Sequence, residues 1–148
     1  MTIPLADLKI QYKNIKNEVD AAVKEALDDA NFILGPQVKM LEEEVAHYCG
    51  SKYGVGVASG TDALVLALAA SGITKGDEVI TTPFTFIATA EAISRVGAKP
   101  VFCDIDARTY NIAEDGIESK ITKKTKAIVP VHLYGYPCNM DKILGLAD

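Results

Sequence analysis

The sequence is poor in the residues from which metal and disulfide sites are built. It has no tryptophan, two histidines and three cysteines, Cys49, Cys103 and Cys138, which are odd in number and widely spaced. No Cys-x-x-Cys or His-x-x-x-His spacing occurs, so we expect small, partly buried thiols and no metal site. Reduced thiols, with no basic segment followed by an apolar core at the N-terminus, predict a cytoplasmic protein.

Long apolar runs and a basic charge balance are also missing. No apolar stretch reaches the roughly 20 residues of a membrane span, so we expect no membrane insertion. The net charge of -5 gives no electrostatic footprint for nucleic acid, and we expect no nucleic-acid partner. With 148 residues, 49% of them apolar, and a mean hydropathy of +0.14, the chain can form an ordered core.

Two amphipathic helices are predicted in residues 1–50. Residues Met1 to Gln11 look extended, and one apolar helical face begins at Ile15 and recurs through Ala30. A second helix begins at Gly35-Pro36 and stops at Gly50. Between them lies the apolar loop Phe32 to Leu34, which either packs against the protein beneath it or contacts a substrate or second subunit.

Strands and helices alternate after Gly50. The predicted strands are Tyr53–Ala58, Glu78–Thr82, Pro100–Cys103 and Ala127–Val131. The predicted helices are Asp62–Ser71, Ile87–Val96, Glu114–Ile121 and one capped by Asn139; the first is apolar almost all round and should be buried on several sides. Such units predict a mostly parallel sheet with helices on both faces, a three-layer α/β/α arrangement. The pattern thus changes near residue 50, from a helical segment (1–50) to an α/β segment (51–148).

The stretch from Gly54 to Leu64 is typical of a phosphate-binding turn. It reads as a short strand, a tight turn and a helix whose first N–H groups are unpaired at the positive end of the helix dipole. The bare pattern is equally compatible with an ordinary turn in which Thr61 or Asp62 is the N-cap. In the phosphate-binding interpretation, the Asp62 side chain points aside and its N–H faces inward. The glycine spacing does not match a dinucleotide fingerprint, and no P-loop occurs.

Other chemically useful residues follow the remaining strands. They are Pro83 to Phe86, Asp104 to Asp106, and His132 to Tyr134. Carboxyl ends of parallel strands share one sheet edge, so this set predicts a cofactor site. Phe84 is assigned to the core and the two aspartates to turns and caps. For His132, a site role and a structural hydrogen bond both stay open.

Four segments resemble the DegT/DnrJ/StrS family of sugar aminotransferases: Ser59–Leu64, Gly76–Ala90, Gly97–Asp106 and Lys126–Gly135. The resemblance runs in register from about Ile3 to Asp148. It implies a fold-type I enzyme that uses pyridoxal 5'-phosphate (PLP) and works as a homodimer. In that enzyme 51–148 would be the first part of the PLP-binding large domain, and the helical segment 1–50 would pack on that domain. The implied reaction moves an amino group from glutamate to a nucleotide-linked keto sugar, for polysaccharide or antibiotic-sugar biosynthesis.

The resemblance carries four cofactor-binding residues. Gly60, Thr61 and Asp62 match the turn whose backbone holds the PLP phosphate, and Phe86 matches the aromatic residue that stacks on the pyridine ring. No lysine here matches the residue that binds PLP covalently, and the acid partner of the pyridine nitrogen is missing too. We therefore expect no catalytic residue in this chain, which alone should neither transaminate nor hold PLP covalently.

Two alternatives remain open at this point. A sugar dehydratase of the same family carries a histidine in place of the covalent lysine, and that position is not in this sequence. A non-catalytic binding or regulatory protein could keep the phosphate-binding turn without the chemistry. The predicted strand Tyr53–Ala58 should also lack its neighbour, because fold-type I sheets pair the first strand with the last of the large domain.

Overall fold

The computed structural model describes Pro4 and residues 6–147, and the chain divides into two compact units, Met1–Gly56 and Val57–Asp148. The packing of residues 1–50 on a larger domain stays a prediction.

The first helix of the first unit starts earlier than its apolar periodicity indicates. Helix α1 spans Leu8–Asp29, and the Asp7 carboxylate caps it by accepting from the N–H groups of Lys9 and Ile10 at 3.1 and 3.0 Å. The prediction of extended backbone up to Gln11 is therefore wrong from Leu8 onward; residues 1–3 and 5 lie outside the described part. An N-cap acceptor starts a helix whether or not its first turn is apolar, which is why the periodicity missed this one.

Helix α2 spans Pro36–Tyr48 and has the predicted proline in its first turn. Gly50, with φ of +65°, follows it in the left-handed conformation, as expected of a helix stop. The side chains of the loop Phe32 to Leu34 do not pack against the described residues: Phe32 is 65% exposed, and Ile33 and Leu34 are more exposed still. Packing against the described residues therefore does not account for the apolar character of the loop.

The predicted strand Tyr53–Ala58 does not form in the described residues. Its backbone contacts α2 instead: the N–H of Gly56 donates to Glu42 Oε1 at 2.6 Å. A side chain at Gly54 would clash with the backbone oxygen of Glu42, so glycine permits this close approach. A strand forms only with a neighbour to pair with, and no described strand pairs with this segment.

The second unit contains a three-stranded parallel sheet. Its strands are β1 (Glu78–Thr81), β2 (Lys99–Phe102) and β3 (Thr125–Ile128), in the order β2-β1-β3. Ile80 lies opposite Val101 on one side and Ile128 on the other. The parallel arrangement is confirmed. Strand β3 begins two residues before the predicted start, because the polar pair Thr125-Lys126 joins the ladder beside Glu78.

Helices cover both faces of this sheet. Helix α3 (Gly60–Ala70) and helix α4 (Ala88–Arg95) pack with Val79 on one face. Helix α5 (Glu114–Ile117) and helix α6 (Met140–Ala147) pack with Ile80 on the other. The connections from β1 to β2 and from β2 to β3 run in opposite directions across the sheet, so right-handed crossovers place α4 and α5 on opposite faces. The predicted three-layer α/β/α fold is confirmed.

Two helices of the second unit, α3 and α5, differ from their predictions. The stretch Glu114–Ile121 is helix α5 followed by a 3₁₀ turn, Glu118–Lys120. Gly116 lies in α5 so close to the sheet that a Cβ there would be 2.9 Å from Cys103 Sγ. Helix α3 is buried on one side only: Leu68 is buried, whereas Leu66 is 54% exposed, so burial on several sides is a wrong prediction for the described residues. Among all the described residues, 4 and 6–147, no helix is long and apolar enough to cross a membrane.

Candidate functional site

The start of α3 lies towards the carboxyl edge of the sheet. The short segment 71–77 connects the end of α3 to Glu78, the first residue of β1 at the amino edge. Eleven residues of α-helix rise about 16 Å, slightly more than the length of a four-residue strand. The helix start is thereby carried back towards the edge at which strands β1, β2 and β3 end.

Ser59 caps this helix start. Its backbone is extended (φ -159°, ψ 163°), and its Oγ accepts from the N–H of Asp62 at 3.1 Å while it donates to Asp62 Oδ2 at 3.0 Å. The N-cap is therefore Ser59. The ordinary-turn interpretation of the sequence, in which Thr61 or Asp62 is the N-cap, named the wrong residue. The Asp62 N–H is also bonded within the turn, so the prediction that it faces inward to a ligand is wrong. The carboxylate in the first turn still favours the helix dipole.

Two backbone donors of the turn stay free. The N–H groups of Gly60 and Thr61 make no hydrogen bond among the described residues. An added Cβ at Gly60 would meet nothing within 4 Å, so the space in front of the helix start is open. Free N–H groups, a helix dipole and open space are the features with which helix starts bind anions.

The loop after β1 carries the two phenylalanines. Thr82 is buried, and its Oγ1 accepts from the N–H of Phe84 at 3.2 Å, which turns the chain out of the sheet. Phe86 follows with its ring 77% exposed. Phe84 is 44% exposed and lies beside Tyr110, with ring centroids 6.0 Å apart. The prediction that Phe84 belongs to the core is thus wrong. The turn at Thr82 carries its ring away from the apolar residues that pack on the two faces of the sheet.

A cavity of about 430 Å³ opens where the loops after β1 and β3 meet. Its lining comes from the two loops: Pro83, Phe84, Thr85 and Phe86 from the first, and Leu133 and Tyr134 from the second. The chain leaves β1 towards α4 on one face and leaves β3 towards α6 on the other. Adjacent strands whose connections leave on opposite faces create the crevice in which open α/β sheets bind ligands.

His132, in the loop after β3, makes a structural hydrogen bond. Its Nδ1 accepts from the N–H of Cys138 at 3.0 Å, which closes the loop 132–138. An accepting Nδ1 places the ring proton on Nε2. Cys138 and Cys103 are buried, and burial raises the pKa of both thiols, whereas Cys49 is exposed, contrary to the expected partial burial.

The turn after β2 is built around Asp106. Its Oδ1 accepts from the N–H groups of Arg108 and Thr109 at 2.8 and 3.1 Å, which confirms its predicted turn role. These hydrogen bonds and the nearby Arg108 guanidinium lower the pKa of the Asp106 carboxyl. Asp104 Oδ1 accepts from the N–H of Ile105 at 2.8 Å.

The sequence placed Tyr134 at this edge but missed two further tyrosines there, Tyr110 and Tyr136. Tyr110, Tyr134 and Tyr136 line a second cavity of about 500 Å³ together with Arg108, Thr109 and Leu133. A turn signal was available in Asp106, which directs the chain towards Tyr110. No pattern in the sequence placed Tyr110 next to the loop after β3.

The fold and this edge define an α/β protein with a crevice at the carboxyl ends of its strands and two free N–H groups at the start of α3. Residues 13–148 match the DegT/DnrJ/EryC1/StrS aminotransferase family, and the chain belongs to that family. It is 54% identical over 146 residues to UDP-N-acetyl-3-dehydro-α-D-glucosamine 3-aminotransferase from Acidithiobacillus ferrooxidans, spanning 99% of this chain and 40% of that protein.

Two solved structures extend the match to the fold. The crystal structure of S. venezuelae DesV in complex with a ketimine intermediate has a TM-score of 0.95 and 43% identity, over 99% of this chain and 39% of DesV. The PLP form of Spr1654 from Streptococcus pneumoniae, a putative sugar aminotransferase, has a TM-score of 0.80 and 36% identity, over 86% and 33%. The chain thus spans about 40% of the length of the curated relative above.

Proposed function

We propose that this chain is the phosphate-binding portion of a PLP-dependent aminotransferase that moves an amino group from glutamate to a nucleotide-linked keto sugar. The observation that carries the proposal is the capped start of α3, with two free N–H groups, in a chain of this aminotransferase family. The product serves the biosynthesis of cell-surface polysaccharide, another glycan or an antibiotic sugar. The name of the relative from Acidithiobacillus ferrooxidans supports a sugar carried on UDP.

The residues present fit the cofactor. The N–H groups of Gly60 and Thr61 would bind the phosphate, whose charge the helix dipole favours. The carboxylate of Asp62 stays bonded to Ser59 Oγ beside the phosphate position. Phe86 presents an exposed ring that would stack on the pyridine.

The division of chemical labour follows from where the charged residues lie. When bound, PLP supplies the electron sink that lets an amino group leave one carbon and join another. This chain would position the cofactor and hold water away from one face of its ring. Lys75 and Lys99 precede or begin strands at the amino edge of the sheet, opposite the crevice. We therefore assign the covalent lysine and the acid partner to the rest of the whole protein.

The whole protein would be a cytoplasmic homodimer. Three free cysteines support a reducing compartment. The exposed apolar loop Phe32 to Leu34 supports a contact with a second subunit or with the substrate.

The test uses the whole protein, supplied with PLP, glutamate and a UDP-linked 3-keto sugar. Mass spectrometry should detect an amino sugar and 2-oxoglutarate in equal amounts. Loss of water from the sugar without consumption of glutamate would favour the dehydratase. PLP binding without turnover of any keto sugar would favour the non-catalytic protein.

A further inference from the structure

The cavity of about 500 Å³ is an aromatic cleft with a single guanidinium at its rim. We call it the tyrosine cleft and define it by Tyr110, Tyr134, Tyr136 and Arg108. All three rings are exposed, so none of them serves a described core. Its volume falls within the range of small-molecule sites.

Two of these tyrosines hold a backbone conformation that bulky residues rarely adopt. Tyr110 has φ of 61° and Tyr134 has φ of 54°. The surrounding turn enforces the first: the N–H of Tyr110 donates to the Asp106 oxygen at 2.8 Å. Strained positions of this kind persist when their surroundings fix them, and they cluster at ligand sites.

Asn111 ties the two loops of the cleft together. It is 2% exposed; its Nδ2 donates to the Tyr136 oxygen at 3.0 Å, and its Oδ1 accepts from the N–H of Leu133 at 3.2 Å. A buried amide that satisfies both loops fixes the distance between Tyr110 on one and Tyr134 on the other. The cleft is therefore preorganised, which lowers the entropy cost of binding.

Arg108 contributes donors for an anion. Its Nη2 donates to Asp106 Oδ2 at 3.3 Å, and its side chain is otherwise open to solvent. A guanidinium has five N–H donors, so the pairing with Asp106 orients the group and leaves donors for a phosphate.

The cleft is continuous with the crevice at Phe86, since both cavities are lined by Leu133 and Tyr134. We propose that the tyrosine cleft binds the nucleoside diphosphate of the sugar substrate, with the base on the tyrosine rings and the diphosphate at Arg108. This inference rests on the proposed function. The sugar, at the other end of the diphosphate, would then reach past Tyr134 into the crevice beside Phe86. Stacking rings and a guanidinium together match a base joined to phosphates better than a free sugar or a peptide.

The test measures binding of UDP and dTDP alone to the whole protein by titration calorimetry. Tyr134→Ala and Tyr136→Ala should each weaken binding about tenfold or more, because a stacking ring is lost. Tyr134→Phe should bind as the unchanged protein does, and so should the control Tyr48→Ala, which removes an exposed ring of α2. Arg108→Ala should weaken binding of UDP and leave binding of uridine unchanged.

The outcomes separate this inference from the proposed function. If UDP does not bind, or if it binds equally to the protein and to both alanine variants, the cleft is not its site, even where glutamate and the keto sugar are turned over. If UDP binding falls in the alanine variants while no amino group is transferred, the cleft stands and the aminotransferase proposal fails. Circular dichroism of each variant identifies any loss of folding. If the alanine variants do not fold, Arg108→Ala decides: equal binding of UDP to this variant and to the unchanged protein would overturn the inference.

Discussion

Ser59 and Asp62 hold each other by two hydrogen bonds, so the cap of α3 and its first acidic residue form one unit. The pair uses up the N–H of Asp62 and leaves those of Gly60 and Thr61 free. Fewer N–H groups are thus available to an anion than the sequence indicated, because Ser59 accepts the hydrogen bond of one of them.

Ser59→Ala should destabilise the protein by about 1 kcal/mol, since it removes the acceptor of the Asp62 N–H. Urea unfolding measures the change. Ser94→Ala is the matched control: Ser94 Oγ donates to the Ala90 oxygen within α4, and its loss should change stability by less than about 0.5 kcal/mol. Equal effects of the two substitutions would show that Ser59 is not a functioning cap.

Gly60→Pro should separate folding from phosphate binding. Proline suits the first helical position, the extended backbone of Ser59 tolerates a following proline, and nothing lies within 4 Å of an added Cβ. The variant should therefore be as stable as the original protein, or more stable by up to about 1 kcal/mol.

The same substitution removes one free N–H, so the affinity for PLP should fall by about tenfold, a typical loss for a hydrogen bond to a charged group. Equilibrium dialysis of the whole protein measures it. Gly60→Ala adds a Cβ but keeps the N–H and should bind PLP nearly normally. If alanine and proline weaken binding equally, the added carbon and not the missing donor is responsible.

Phe86→Ala should weaken PLP binding with little change in stability, because the exposed ring packs little within the described chain. Loss of an aromatic stacking contact lowers affinity by about 0.5–1.5 kcal/mol. Phe86→Tyr keeps the ring and should restore affinity. The neighbouring Ile87→Ala, also at an exposed side chain, is the control for the loop itself. Unchanged PLP affinity in Phe86→Ala would remove Phe86 from the site.

Asp106 predicts a specific acid dependence. Its folded pKa is lowered, chiefly by the N–H of Arg108, then by the Arg108 side chain and the N–H of Thr109. A lowered folded pKa gives stability that is complete above the unfolded pKa of about 4 and is lost as pH falls through the folded pKa. Asp106→Asn keeps an acceptor that does not titrate. Below about pH 4, the urea concentration at its unfolding midpoint should therefore fall less steeply with pH than that of the original protein.

Asp106→Ala serves as the companion variant in the same pH series. It removes the acceptor at every pH, so the protein should already be less stable at neutral pH. Parallel acid slopes for the original protein and Asp106→Asn would contradict the assigned role of the carboxylate.

The sheet was predictable because apolar strand segments such as Val79-Ile80 alternate with helices at spacings that parallel strands require. The position of the candidate site residues, at the edge where the parallel strands end, also follows from that alternation. Caps and starts were less predictable: Ser59, Thr61 and Asp62 are all good N-caps, and the choice among them depends on backbone angles. Helix α1 likewise starts at a polar cap, Asp7, which an apolar pattern cannot register.

The tyrosine cleft was beyond local sequence rules. Tyrosine has no preference for positive φ, so nothing local predicts Tyr110 and Tyr134 in that conformation. The link through Asn111 joins residues 22 and 25 positions away, a distance that depends on strand order. The prediction of a strand at Tyr53–Ala58 failed for a related reason: a strand needs a neighbour, and no described strand pairs with this segment.

The narrow gap between Gly116 and Cys103 has a chemical consequence. A carbon atom placed on Gly116 would lie 2.9 Å from the sulfur, so the backbone of α5 covers this side of the thiol. Cys103 is 2% exposed, so peroxide has little access to the sulfur, and burial also disfavours the thiolate that peroxide attacks. The spacing that brings α5 against the sheet therefore also shields Cys103 from oxidative damage, and leaves exposed Cys49 to react first.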